Sequence, residues 1–264
     1  MLDVIEDIRL LENVSDLEAV RRLYERIWRT GTSNPPVTAD FLRALAKAGG
    51  YVGGAYEDGE LVGACFGFFA PPAREALHSH IAGVLARAQG RNVGFALKLH
   101  QREWALAHGA AEIWWTFDPL IRRNAYFNLS KLGAEATEYL PDFYGPMDDD
   151  VNRSDPTDRL FVKWSLSSPE VEAACAGRPR TTPAAATAAA VLDVDADGGP
   201  RARPSSAGLV KVAVPADVEA MRIADPALAA RWRTAVREAL SGLMDDGARI
   251  TGFDRSGWYL LEKA

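Results

Sequence analysis

One stretch limits what this chain can fold into more than any other. Residues 77–94 read LHSHIAGVLARAQGRNVG and run on into a helix that ends near Gly109. The pattern is strand, tight polar loop, helix. The strand carries Leu77, His78, Ser79, His80, Ile81, Gly83, Val84 and Leu85; the loop carries Gln89, Gly90, Arg91, Asn92 and Gly94; the helix begins at about Val93. The first amides of a helix lack intrahelical acceptors, and the helix dipole adds partial positive charge beside them. Such a loop suits a phosphate or pyrophosphate. It is not a Walker loop, because no Gly-Lys-Ser/Thr follows at the required spacing, and Gly90 and Gly94 do not fit the G-x-G-x-x-G dinucleotide fingerprint.

The rest of the chain bounds the answer. A length of 264 residues fits one large domain or one domain with a small companion. The 48% hydrophobic content is enough for a core, and a net charge of −6 disfavours a nucleic-acid partner. The two cysteines, Cys65 in an apolar run and Cys175 in a polar one, give neither a disulfide framework nor metal-ligand spacing. No apolar run is long enough to cross a membrane. The acidic start MLDVIEDIRLLE lacks the layout of a signal peptide, so the expectation is a cytoplasmic protein without metal or membrane partner.

Taken in order, residues 4–12 read as a strand through Val4, Ile5, Ile8 and Leu10. A helix then starts at Ser15-Asp16, with Leu17, Val20, Leu23, Tyr24 and Ile27 at helical spacing. Thr38-Ala39-Asp40 opens a second helix, closed by Gly49-Gly50. Tyr51–Tyr56 and Leu61–Phe69 form a hairpin around Glu57-Asp58-Gly59. After the 77–94 stretch, the helix shows apolar stripes through Val93, Leu97 and Trp104 and through Phe95, Leu99 and Leu106, with Lys98 and Arg102 on its polar side. Glu112–Asp118 lacks clean alternation and reads as a strand covered on both faces. Arg123–Leu132 is a short helix ended by Gly133, and strands near Ala134–Tyr139 and Arg159–Leu166 flank a loop that includes Asp148, Asp149 and Asp150. Residues 171–208 are rich in Ala, Pro, Thr, Gly and Arg and read as a flexible linker. Residues 209–264 read as a small α+β unit: a strand, a long helix from Asp225-Pro226, and a final hairpin. At about 55 residues such a unit is near the lower limit for independent stability, so it is expected to dock on the first domain or on a second copy of the chain.

The loop hexad Gln89-Gly90-Arg91-Asn92-Val93-Gly94 resembles the coenzyme A signature Q/R-x-x-G-x-G/A of the GNAT acyltransferases. Asn92 stands where that family usually has glycine, and asparagine tolerates positive φ better than most residues. The segment RRNAYFNLSKLGA is similar to a conserved family helix, with Asn124, Lys131, Leu132 and Gly133 in place. Leu77–His80, Gln101–Leu106 and Trp115–Leu120 resemble runs of one less-studied branch. The likeness spans roughly residues 5–168. It implies an α/β (α+β) GNAT acyl-CoA N-acyltransferase fold, a mixed twisted sheet flanked by helices, in residues 1–170.

The resemblance also implies a chemistry: acetyl transfer from acetyl-CoA to the amine of a small-molecule acceptor, by direct attack in a ternary complex. The strand before the loop would hold the pantetheine arm through its main chain, at Gly83, Val84 and Leu85. Amides near Val84 and Leu85 would hold the acyl oxygen. Amides of Gln89, Gly90, Arg91, Asn92, Val93, Gly94 and Phe95 would take the pyrophosphate, with Arg91 either on a phosphate or facing solvent. Asn124, Phe127 and Asn128 would contact the pantetheine, or Asn124 would cap a helix. His78 and His80, two apart on a strand, share a face. A histidine titrating near ~6.5 is suited to take the amine's proton; either ring is otherwise a structural group. Asp118 is a second candidate base, or else the acceptor of an Asx turn. The family's usual acidic tyrosine is replaced by Leu129, leaving Tyr126, Tyr139 and Tyr144 as candidates. Trp114, Trp115, Phe117 and Tyr126 line a pocket or form core. Two rivals stand beside this reading: a protein that binds coenzyme A without turnover and uses its C-terminal unit for interaction, and an acyltransferase with a different acceptor.

Overall fold

The structure is a computed structural model and describes residues 7–30, 35–145 and 155–263. The chain divides into two compact units, residues 1–115 and 116–264.

The first unit opens with strand β1 (Ile8–Leu10). Val4 and Ile5, expected in the same strand, lie outside the described residues. Helix α1 (Val14–Trp28) starts where the Asn13 side chain accepts from the Asp16 amide, and it buries Leu17, Val20, Leu23 and Tyr24. Helix α2 (Ala39–Lys47) is capped in the same way by Thr38. Strands β2 (Tyr51–Glu57) and β3 (Glu60–Phe69) form a hairpin. Its two turn residues, Asp58 and Gly59, have φ of 50° and 80°, the positive values that a tight hairpin turn requires. Strand β4 (Ala76–Val84), helix α3 (Val93–Ala107) and strand β5 (Glu112–Phe117) complete the set. Strands β1 to β4 pair antiparallel in chain order. The apolar faces of α1 and α2 close over β2 and β3 in one core that includes Leu17, Leu42, Val52, Ala64 and Phe66.

Two features of this unit position the site. Strands β4 and β5 are parallel, in register at Ala76↔Glu112, Leu77↔Ile113 and His78↔Trp114, and β4 then runs on through Ser79–Val84. The second feature is the buried face of α3, formed by Val93, Ala96, Leu97, Lys98, Gln101 and Ala105. Lys98, expected on the polar side, is therefore buried, while Leu106, expected in a stripe, is exposed. Hydrophobic spacing misplaced this face because alanines and two hydrogen-bonding side chains occupy it.

The second unit begins inside β5. Helix α4 (Arg122–Ala125) passes into a π turn at Tyr126–Lys131. Strands β6 (Glu135–Leu140) and β7 (Arg159–Ser165) pair antiparallel. Asp148, Asp149 and Asp150, between them, lie outside the described residues. Helix α5 (Pro169–Cys175) follows, then β8 (Ala189–Val194), β9 (Pro200–Ala202), β10 (Leu209–Ala213), α6 (Val218–Ala224), α7 (Pro226–Asp245), β11 (Arg249–Asp254) and β12 (Trp258–Glu262). Five of these strands form a sheet in the order β11-β12-β10-β8-β9, with α7 packed on it.

One expectation is corrected here. Residues 171–208 are not a free linker, because β8 pairs in parallel with β10 and β9 pairs with β8. Short Ala-rich strands carry too weak a periodicity to stand out from linker composition. Residues 116–170 are tied to the C-terminal segment by Ser130 Oγ donating to Phe253 O at 2.8 Å, by Tyr259 Oη donating to Pro119 O at 2.7 Å, and by the Arg122 guanidinium donating to Val214 O at 2.6 Å.

Candidate active site

In the first unit the chain leaves β4 through a short 3-10 turn at Ala86–Ala88 and reaches α3 over Gln89–Asn92. Gly90 and Asn92 have φ of 77° and 64°. Asparagine thus keeps the left-handed turn that glycine would make. A Cβ built on Gly90 meets nothing within 4 Å, so the backbone conformation, not crowding, calls for glycine there. Gln89 Nε2 donates to Val84 O at 3.1 Å, tying the loop to the end of the strand. Val93 is buried under the loop, Gly94 and Phe95 are half-buried, and Arg91 is exposed and paired with Glu57 at 3.0 Å.

Two of the residues expected to hold the cofactor have other duties. A Cβ on Gly83 would stand 2.8 Å from Ile27 and Trp28, so glycine here lets β4 approach α1. The Leu85 amide donates to Val62 O at 2.9 Å, so it is not available to hold an acyl oxygen as the sequence suggested. Val84 sits half-buried at the strand's end, opposite Gly63 of β3.

The histidines do share a face. His78 and His80 have ring centroids 5.7 Å apart, and Phe68 lies 5.1 Å from His78 and 6.1 Å from His80. A register shift between Phe66 and Gly67 of β3 against Ser79–Ile81 of β4 sets His80 in a bulge. His78 is half-buried and His80 exposed. Burial, then the neighbouring His80 and Lys98, pull His78 down to about 4. Burial also lowers His80. Both rings are neutral at pH 7, as a proton acceptor must be.

On the opposite face of β4 lies a group that hydrophobic spacing missed. Lys98 is 4% exposed and donates to Ser79 Oγ at 3.1 Å and to Gln101 Oε1 at 2.9 Å, while its Nζ stands 3.9 Å from the Trp115 ring centroid. Burial pulls this ammonium down to about 8. Gln101 is 0% exposed, and its Nε2 has no hydrogen-bond partner among the described residues. Cys65 is buried in β3, and burial pushes its thiol up to about 11, which leaves it inert as a nucleophile. The signal for Lys98 was its place at i−3 from Gln101, two polar side chains on one helical face.

In the second unit Asp118 is 2% exposed and sits among arginines. Its Oδ1 accepts from the Leu120 amide and from Arg233 Nη1, both at 2.9 Å, and its Oδ2 accepts from Arg222 Nη2 at 2.6 Å. Asp155 joins the same two guanidiniums. Burial alone would raise the Asp118 carboxyl, but the charges and hydrogen bonds of Arg233 and Arg222 hold it well below the usual carboxylate range. Asp118 is therefore an Asx-turn acceptor and ion-pair centre, not the base considered for it. Tyr126 accepts a hydrogen bond from Arg255 Nη2 at 2.8 Å. Tyr139 donates to Asp158 at 2.6 Å, and Tyr144 pairs with Thr116 at 3.1 Å. Asn124 and Phe127 are half-buried in the α4–π segment, and Asn128 and Leu129 are buried there. Trp115 and Phe117 are buried core; Trp114 is half-buried and donates to Glu112 at 2.7 Å.

A twisted mixed sheet flanked by helices, with a parallel β4–β5 step beside a helix-start loop, is a mixed α/β fold. The comparisons agree. Residues 17–133 match the sequence profile of the acetyltransferase (GNAT) family. An N-acetyltransferase from Staphylococcus aureus Mu50 superposes with a TM-score of 0.51 at 19% identity, covering 61% of this chain and 98% of its own. A ribosomal-protein-alanine N-acetyltransferase from Brucella melitensis gives 0.50 at 18%, over 60% and 98%. An acetyltransferase of Salmonella typhimurium, solved with its cofactor acetyl-CoA, gives 0.50 at 17%, over 62% and 96%. No curated protein matches the chain by sequence. Residues 17–133 thus match the GNAT family, and the solved structures share this chain's fold. No helix among the described residues is long and apolar enough to cross a membrane.

Proposed function

We propose that this chain is an acyl-CoA-dependent acyltransferase that moves an acetyl group from acetyl-CoA to the amine of a small-molecule acceptor. One observation carries the reading. Strand β4 outruns its pairing with β5 and leads into a left-handed loop at the start of α3, with two neutral histidines on one of its faces. The residues fit the cosubstrate: amides at a helix start suit a diphosphate, and Gln101 Nε2 is a buried donor that lacks an acceptor. Acetyl-CoA supplies an activated carbonyl and a thiolate leaving group. The chain's own contributions are distinct. The loop Gln89–Gly94 anchors the phosphates, β4 orients the arm, and His78, supported by His80 and Phe68, takes the proton from the attacking amine. An unreactive thiol at Cys65 supports direct attack in a ternary complex over a covalent intermediate there.

Leu129, buried where the resemblance implies a tyrosine, favours a second reading, in which the protein binds coenzyme A without turnover. Calorimetry with acetyl-CoA, followed by a thiol-release screen over amines, separates the two. Binding with release on at least one amine is the expected result. Binding with no release across a broad panel would favour the second reading, and a His78→Ala variant with undiminished turnover would remove the base assignment.

A further inference from the structure

We propose that Lys98 is the acid of the transfer step: its ammonium donates a proton to the sulfur that departs from the acyl group. The proposal rests on the acyl-CoA reading above. It answers the gap left by Leu129, and it stands on where Lys98 sits.

The last register pair between β4 and β5 is His78↔Trp114. The next residue on each strand is Ser79 on β4 and Trp115 on β5, and Lys98 Nζ touches both, at 3.1 Å from Ser79 Oγ and 3.9 Å from the Trp115 ring centroid. Lys98 thus reaches across from α3 at the point where the β4–β5 pairing ends. From Ser79 to Val84 is roughly 17 Å of strand, a length a pantetheine arm can follow from a diphosphate at the loop. An arm laid along β4 from the loop brings its sulfur toward Ser79. Gln101 Nε2 adds an independent sign that an acceptor atom belongs here, because it is fully buried and unpartnered. The amide's orientation is fixed, since Lys98 can only donate and so must meet Oε1.

The two faces of β4 then divide the chemistry. The amine comes in on the face of His78 and His80, and the thiol leaves on the face of Lys98. The acceptor nitrogen forms a bond to the carbonyl carbon and loses a proton to His78. The carbon–sulfur bond breaks with its electron pair on sulfur, and that sulfur takes the proton from Lys98 Nζ. The histidine returns its proton to solvent and the lysine regains one from it, so the net change is amine plus thioester to amide plus thiol. Burial supports the role by drawing the ammonium down to about 8, close to an ordinary thiol, so the transfer is nearly balanced in energy.

The experiment uses the full chain with coenzyme A and two variants, Lys98→Met and Lys98→Arg. Calorimetry first measures coenzyme A binding to each. Ultraviolet difference absorbance of the thiolate then follows the bound thiol as pH is raised. The expected result is that wild type and Lys98→Met bind alike, while the bound thiol titrates about one pH unit lower in wild type, because a nearby cation favours the thiolate. With an acceptor from the amine screen, Lys98→Met lowers kcat on the order of 10²–10³-fold with little change in KM. Lys98→Arg keeps the lowered thiol titration but does not restore kcat, because a guanidinium does not give up its proton. Equal thiol titration in wild type and Lys98→Met, or full kcat in Lys98→Arg, would overturn the proposal and leave the acyl-CoA reading in place. Failure of wild type to bind coenzyme A would remove both.

Discussion

Asp118 and His78 show how differently two site candidates can resolve once their neighbours are known. Asp118 lies in a buried cluster with Arg222, Arg233 and Asp155. Its charge is matched there, and removing one partner of such a cluster leaves charge buried without compensation. Asp118→Asn is expected to cost about 3 kcal/mol, read as a lower urea midpoint with an unchanged slope. His78 faces no such ion pair, and burial holds it near 4. A base must be unprotonated, so lowering its pKa extends activity toward acid. The acidic limb of the kcat/KM profile is expected well below the ~6.5 of an ordinary histidine, and a limb at 6.5 would assign the proton to another group. The i, i+2 spacing of the two histidines predicted a shared face, and their rings do lie together even though His80 sits in a bulge. The sequence could not place Asp118, whose arginine partners are over 100 positions away.

At the scale of elements, the loop before α3 depends on backbone conformation more than on side-chain chemistry. Asn92 holds φ at 64°, a value that costs most residues roughly 1 kcal/mol or more. Asn92→Gly is expected to keep both stability and coenzyme A affinity. Asn92→Val is expected to lose about 1–2 kcal/mol of stability and to weaken coenzyme A binding, since a β-branched residue resists positive φ; thermal melts and calorimetry check both. This element was legible because glycine and asparagine mark turns by mechanism. The buried face of α3 was not, since Lys98 and Gln101 are polar and hydrophobic spacing counts only apolar residues. The strands β8 and β9 were hidden for a related reason: Ala189–Val194 and Pro200–Ala202 resemble linker in composition and become strands through pairing with each other and with β10.

For the whole chain, the family resemblance implies an acyltransferase domain in residues 1–170, followed by a linker and a small α+β unit expected to dock. The second compact unit, residues 116–264, joins residues 116–170 to those after them. The physical reason is that the 116–170 segment is not self-sufficient. Asp118 needs Arg222 and Arg233, Asp158 needs Arg237, and Ser130 donates to Phe253 O. A chain cut after residue 170 would keep the carboxylates and lose the guanidiniums. Asp118 and Asp158, both held below the ordinary carboxylate value in the full chain, would then rise, each becoming easier to protonate. In the full chain their contribution is complete above the unfolded value near 3.8 and is lost as pH falls through the lower folded values. In the cut chain that contribution is gone at every pH. The 1–170 fragment is therefore expected to lack a cooperative melt at neutral pH and to bind a hydrophobic dye. A fragment that melted as sharply as the full chain would show that residues 171–264 are an appendage rather than part of the second unit's core.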